Sequence, residues 1–134
     1  IFPYLQGYSC NLDLLIGERK NNLETFIEQY NADFIPIQLM RGASFMKSFV
    51  IIDESQILNE HEILTIGTRI VDGSKLVILG DLKQRDEKIC IEKTGMYNFV
   101  NNEKAKGSDF VASIELIKSE RGKIATLFAD IFEK

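Results

Sequence analysis

Residues 49–56 read FVIIDESQ, an apolar, β-branched run that ends in two acids and a glutamine. SFVIID, residues 48–53, is apolar on both alternating faces, the pattern of a strand covered on both sides by helices and therefore the centre of a sheet. An acid at that point emerges from the carboxyl end of a buried strand. In open parallel sheets the ligand crevice lies just beyond those ends, so what flanks this strand decides how the chain is read.

Downstream, Asn59 with Glu62 three residues on has the form of a capping box. Ile63, Ile66 and Ile70 then form one apolar face up to an Asp72-Gly73 stop, which predicts a helix of about three turns. KLVILGD, residues 75–81, repeats the strand grammar, with Gly80 and Asp81 at its end. The polar LKQRDEKICIEK then leads to a helix around Met96 to Asn102. FVASIEL, residues 110–116, reads as a further strand, and Ile124, Leu127, Phe128 and Ile131 mark a final helix at i, i+3, i+4 and i+7. Upstream, NNLETFIEQY is a helix burying Leu23, Phe26, Ile27 and Tyr30. DFIPIQLM is a short or edge strand because of Pro36, and Arg41-Gly42 turns the chain. Strands alternating with helices predict an α/β fold with a mainly parallel sheet and helices on both faces. Phe45, Phe49, Phe99, Phe110, Phe128 and Phe132 fall at core spacing rather than forming a base-stacking platform.

Composition narrows the function. The chain has 134 residues, is 45% hydrophobic and carries 16 basic against 20 acidic residues for a formal charge of −4. That is one domain with a real core and no global positive field to recruit nucleic acid. Its apolar runs are far shorter than the roughly 20 residues a membrane helix needs, and no basic-then-apolar leader opens it. Cys10 and Cys90 lack metal-ligand spacing and His61 is the one histidine, so reduced thiols, a cytoplasmic location and no zinc are expected. The chain starts at Ile1 inside a phrase, IFPYLQGYSCNLDLLIG, that reads as a continuation; a fragment is expected.

Asp53 and Asp81 both stand at strand ends, 28 positions apart, one strand-helix-strand unit, and are expected to converge. A hard cation such as magnesium takes oxygen ligands, usually one or two carboxylates with waters and substrate phosphates. Asp53 fits that description, which leaves Glu54 to activate or orient a reacting water. Gln56 and Gln84 can donate and accept beside a phosphate without adding charge. Acids after a strand are more often turn formers or caps; the repetition of acid and glutamine three residues apart, 53 to 56 and 81 to 84, shifts that balance.

VIIDESQ resembles the Walker B or DEAQ-type box of superfamily-one helicase-like NTPases, and GDLKQRD resembles the GDxxQ segment that follows it. More narrowly, MRGASFMKSFVIIDESQILNEHEILTIGTRIVDGSKLVILGDLKQRD is similar to the PhoH-like ATPases, whose core runs through an RG turn, the DEAQ box, a TR-I-x-x-GSK segment and the GD-x-x-Q box. The similarity is good from Ile35 to Asp86 and looser to the end, where SERGKIATLFADIF resembles a terminal arginine-bearing segment. It implies a partial RecA-like P-loop NTPase fold that uses ATP and Mg2+, with Asp53 holding magnesium through water, Glu54 as the catalytic acid and Gln84 sensing the terminal phosphate. Arg121 would reach the phosphates in cis or from a neighbouring subunit. Arg41, Arg69, Gln56 and Asp81 match positions expected near the nucleotide. DESQ stands where the family usually has DEAQ, a change small enough to leave the geometry alone.

No G-x-x-x-x-G-K-[ST] occurs in the chain. In the family that loop precedes the DEAQ box, so residues 1–134 are expected to be a single truncated domain, the C-terminal portion of a PhoH-like ATPase domain. Such a piece should be inactive by itself and expose apolar surface that drives self-association into a homo-oligomer. The parent is expected to couple ATP hydrolysis to RNA or single-stranded nucleic acid, with an upstream PIN nuclease domain as a partner that the resemblance implies. A degenerate, non-hydrolysing module that binds protein or nucleic acid is the alternative, separated from the first by whether the phosphate loop exists upstream. A receiver-like phosphoacceptor would need an acid cluster on the first strand and a strand-end lysine, and neither is evident.

Overall fold

The computed structural model describes residues 5–16, 22–40, 42–84, 90–118 and 120–132. It comprises two compact units, Ile1–Leu39 and Met40–Lys134.

In the first unit, α1 spans Gln6–Ile16 and α2 spans Asn22–Tyr30. α2 is the helix its spacing predicts: Leu23 is buried and Phe26 and Ile27 are half-buried. Tyr30 is exposed, its ring centroid 5.0 Å from that of Phe26. Asn31 then takes a left-handed φ of 49°, and the Ala32 N–H donates to the Ile27 carbonyl at 3.0 Å, a closure that satisfies an orphan carbonyl at the helix end. The strand expected over DFIPIQLM is absent. Ile37–Leu39 instead forms a 3-10 turn closed by Leu39 N–H on the Pro36 carbonyl at 2.9 Å. Pro36 has no N–H for a ladder and a fixed φ, and no described strand lies beside it.

The second unit opens with a turn in which Ala43 N–H donates to the Met40 carbonyl at 3.2 Å and Gly42 has φ 84°. Arg41 lies outside the described residues. β1 (Phe49–Ile52) and β2 (Lys75–Ile78) then pair in parallel with Phe49 opposite Lys75 and Ile52 opposite Ile78. Before the strands proper, Phe45 bridges Ile70. Ser74 fastens this end, its Oγ donating to the Phe45 carbonyl at 2.9 Å and accepting from Ser48 N–H at 3.1 Å. Ile52 is buried and Val50 half-buried, while Phe49 and Ile51 are exposed.

Between the strands runs α3 (Glu60–Gly67), eight residues long. Its capping box is complete: Asn59 Oδ1 accepts from Glu62 N–H at 3.0 Å and Glu62 Oε2 accepts from Asn59 N–H at 2.9 Å, so two orphan donors are satisfied reciprocally. Ile63 and Ile66 are buried, Ile66 to 1% exposure. The helix stops before Ile70, which the bridge to Phe45 claims for the sheet. α4 (Gly95–Asn101) starts on Thr94, and α5 (Glu103–Lys106) follows from Asn102. Gly95 makes the approach of α4 to α3 possible: a Cβ there would lie 2.5 Å from Ile63 Cγ1 and 2.6 Å from the Asn59 carbonyl oxygen.

FVASIEL does not form a strand. Residues 111–118 are irregular, with Phe110 at 99% and Ile117 at 95% exposure. A strand exists only with a partner for its backbone, and none of the described residues pairs with it. α6 (Lys123–Phe132) appears where its periodicity predicts, yet Ile124, Leu127, Phe128 and Ile131 are all exposed. The phenylalanines expected in the core are therefore largely elsewhere: Phe45 is half-buried, and Phe49, Phe99, Phe110, Phe128 and Phe132 are exposed. No helix among the described residues is long and apolar enough to cross a membrane. The architecture is α/β with a parallel sheet, that of a partial P-loop NTPase fold.

Candidate functional site

The site is assembled where β1 and β2 end. The ladder continues past the strands: Leu79 N–H donates to the Ile52 carbonyl at 2.8 Å and Ser55 N–H to the Leu79 carbonyl at 2.9 Å. Between those two bonds the chain must leave the sheet within two residues, Asp53 and Glu54. It does so by putting Glu54 at φ 54°, ψ 35°, in the left-handed region. An L-residue with a Cβ pays about 1–2 kcal/mol to be there, and such a conformation persists only where its surroundings over-determine it.

Several contacts do so. Asp53 Oδ1 accepts from Glu54 N–H at 2.9 Å. The 3-10 turn Ser55–Ile57 closes on Glu54, whose carbonyl accepts from Ile57 N–H at 3.2 Å. Gln56 Nε2 donates to Glu54 Oε2 at 2.6 Å, and Gln56 Oε1 accepts from Asp81 N–H at 3.2 Å. Ser55 and Gln56 are 0% and 2% exposed, whereas Asp53 and Glu54 face solvent. The acids are thus presented at the surface on a buried two-residue footing.

The end of β2 is built around Asp81. Its Oδ1 accepts from Lys83 N–H at 2.9 Å, and its Oδ2 accepts from Gln84 Nε2 at 2.9 Å, an aspartate turn that winds Leu82–Gln84 into a 3-10 turn. Gly80 lets this turn lie against the footing. A Cβ there would stand 2.6 Å from Ser55 Oγ, 2.8 Å from Gln56 Oε1 and 2.9 Å from Met96 Sδ.

The two strand ends are therefore tied together through Gln56, which bonds the Glu54 carboxylate and the Asp81 backbone, with Gln84 joined to Asp81; the Asp53 carboxylate accepts from Glu54 N–H. Two expected roles change. Gln56, expected beside a phosphate, is buried and has protein partners on both ends of its amide. Asp81, expected near the nucleotide, directs its carboxylate to its own turn. Arg69 is not brought to this cluster: its carbonyl accepts from Phe45 N–H at 2.8 Å, at the amino ends of the strands, and its buried Nε has no hydrogen-bond partner. Arg121 is exposed just ahead of α6. Arg41 lies outside the described residues.

Sequence reasoning missed Ser55. Its hydroxyl donates to Met96 Sδ at 3.1 Å, linking the acidic turn to α4, and the signal was the very Ser that replaces the family's usual Ala. As a magnesium ligand Asp53 is chemically suitable, because that ion is usually held by one or two carboxylates together with waters and phosphates. Among the described residues no three His, Cys, Asp or Glu side chains gather to hold a metal unaided.

The chain is 33% identical over 131 residues to Protein PhoH2 of Bacillus subtilis, covering 96% of this chain and 29% of that protein. To Protein PhoH2 of Mycolicibacterium smegmatis it is 33% identical over 112 residues, 84% of this chain and 25% of the relative. A PhoH-like protein of Bacillus subtilis is 30% identical over 118 residues, 88% and 35% of the respective chains. The chain thus spans 25% to 35% of the length of these curated relatives. No solved structure matches it at a significant level. The family model described as PhoH-like protein matches residues 2–133, so the chain that places DESQ and GDLKQ at adjoining strand ends belongs to the PhoH-like protein family.

Proposed function

We propose that this chain is the C-terminal part of an ATPase domain that hydrolyses ATP with magnesium, with RNA or single-stranded nucleic acid as the polymer the intact parent acts on. The observation that carries this reading is the pair of strand ends, held together by Gln56, that presents Asp53 and Glu54 side by side at the surface. Asp53 would hold magnesium through water. When bound, that ion offsets phosphate charge. Glu54, one residue further and fixed in a left-handed turn, activates the attacking water; a carboxylate near the cation but not on it suits that role. Gln84 senses the terminal phosphate by exchanging its bond to Asp81 for one to a phosphate oxygen. Arg121 is proposed to complete the charge balance in cis or from a neighbouring subunit.

No phosphate-cradling G-x-x-x-x-G-K-[ST] occurs in these residues. The reading assigns that loop, and with it most of the affinity for the triphosphate, to the remainder of the parent. A cytoplasmic setting, an upstream PIN nuclease domain and a homo-oligomer belong to the same proposal.

The test is magnesium-dependent ATP hydrolysis by the intact parent and its Glu54→Gln variant. Loss of an acid–base group lowers turnover by roughly 10²–10⁴-fold, and a fall in that range is expected. A variant as active as the wild type would remove Glu54 from the chemistry. A folded wild type without turnover, with or without RNA, would favour the non-hydrolysing binding module.

A further inference from the structure

Three hydrogen bonds at the strand ends form one unbroken path. Gln84 Nε2 donates to Asp81 Oδ2 at 2.9 Å, Asp81 N–H donates to Gln56 Oε1 at 3.2 Å, and Gln56 Nε2 donates to Glu54 Oε2 at 2.6 Å. The path begins at the exposed amide of Gln84 and ends at the exposed carboxylate of Glu54, and Gln56, which holds that carboxylate, is 2% exposed. We propose that Gln56 is a positioning residue: it clamps the Glu54 carboxylate and ties it to the Asp81–Gln84 turn, so that a phosphate drawing Gln84 away from Asp81 changes how Glu54 is held. This rests on the ATPase reading above.

The chemistry of the position argues for the role. One partner is an N–H and requires an acceptor; the other is a carboxylate and requires a donor. A primary amide supplies both from one neutral group, so the two bonds also fix which end of the amide is which. At 2% exposure water cannot readily stand in for either partner, and a buried group deprived of its partner is costly.

The surroundings are shaped to the amide. Gly80 leaves open the space in which a Cβ would come within 2.8 Å of Gln56 Oε1. Glu54, at φ 54°, leaves the chain in a direction that the left-handed turn sets, and the bond from Gln56 fixes its far end. Without that bond the carboxylate is free to sample its rotamers, and misplacing a reacting group by about 1 Å costs on the order of 10²-fold in rate. Gln56 itself, being buried, is not in a position to bind nucleotide directly, so its loss should act on turnover rather than on affinity.

The experiment uses the intact parent carrying Gln56→Met, which keeps the length and volume and removes both polar ends. In parallel, Gln56→Asn keeps the amide but is one methylene too short to span both partners. The readouts are kcat and KM for ATP, together with hydrogen–deuterium exchange at the Asp81 amide. Both variants are expected to lower kcat by about 10- to 100-fold with KM within about twofold, and to speed Asp81 exchange at least about tenfold as its acceptor is lost. Wild-type kcat in either folded variant overturns the proposal, as does a large rise in KM at constant kcat, which would make Gln56 a nucleotide contact. Should the wild type turn over no ATP, the enzymatic reading fails separately. The Asp81 amide then still decides the clamp: exchange unchanged by Gln56→Met overturns it, and faster exchange upholds it.

Discussion

Gly80→Ala tests the packing under the acidic turn. The added Cβ meets Ser55 Oγ at 2.6 Å, Gln56 Oε1 at 2.8 Å and Met96 Sδ at 2.9 Å, all below ordinary van der Waals contact. Met96 is flexible and can yield. Ser55 and Gln56 are buried at 0% and 2% exposure and are tied to Met96, Glu54 and Asp81, so their movement breaks hydrogen bonds. Overpacking of this kind costs about 1–3 kcal/mol, and stranding one buried polar partner adds about 1–3 kcal/mol. Replacing glycine restricts the unfolded chain and returns about 0.4–1 kcal/mol. The expected net loss is about 2–4 kcal/mol, a large part of the roughly 5–15 kcal/mol that holds an ordinary domain together. With a urea m-value of about 1–3 kcal/mol/M, the unfolding midpoint, followed by circular dichroism, should fall by at least about 0.7 M. Gly122→Ala is the control, because a Cβ there meets nothing within 4 Å; it should shift stability by no more than the roughly 0.4–1 kcal/mol of the unfolded-chain effect itself. If the two variants unfold at the same urea concentration, the close packing of β2 on the acidic turn is wrong.

Two further stability outcomes follow from the same geometry. Gly95→Ala should be more damaging than Gly80→Ala, with an overpacking cost at or beyond the upper end of about 1–3 kcal/mol, because its Cβ meets the Asn59 backbone at 2.6 Å and main chain cannot rotate away; equal midpoints for Gly95→Ala and wild type would disprove the α3–α4 contact. Lys47→Gly should raise stability by about 1 kcal/mol, since Lys47 is exposed and holds φ 51°; a lowered urea midpoint would show that its side chain contributes more than its backbone strain costs.

Local signals in the sequence were sufficient where the structure depends on local chemistry. The capping box at Asn59 and Glu62, the helical spacing of α2 and α6, and the two apolar runs that became β1 and β2 all appear where expected. DFIPIQLM and FVASIEL did not become strands, because apolar, β-branched composition describes what a segment does when a partner ladder lies alongside, and among the described residues neither has one. The same limit applies to burial. Periodicity fixes which residues of α6 share a face, but Ile124, Leu127 and Phe128 remain exposed, since no periodicity names the surface that face is to meet. α1 escaped notice because Leu14 and Leu15 are adjacent and both exposed, leaving no clean amphipathic pattern to read.

At the strand ends the sequence suggested a symmetry that the structure divides. Both segments place a glutamine three residues after an aspartate, and both glutamines look equally suited to a phosphate. In the second segment the spacing closes on itself: Gln84 returns to Asp81 within one 3-10 turn and stays exposed. In the first it cannot, because Glu54 lies in the left-handed region and redirects the chain. Gln56 is thereby carried inward, where it meets Glu54 two residues back and the backbone of Asp81 25 residues on. That long-range bond depends on the parallel register of β1 and β2, and on Gly80 having no side chain. One glutamine is left to meet a ligand and the other to hold the acid, a division of labour that identical spacing conceals and that only the pairing of the two strands reveals.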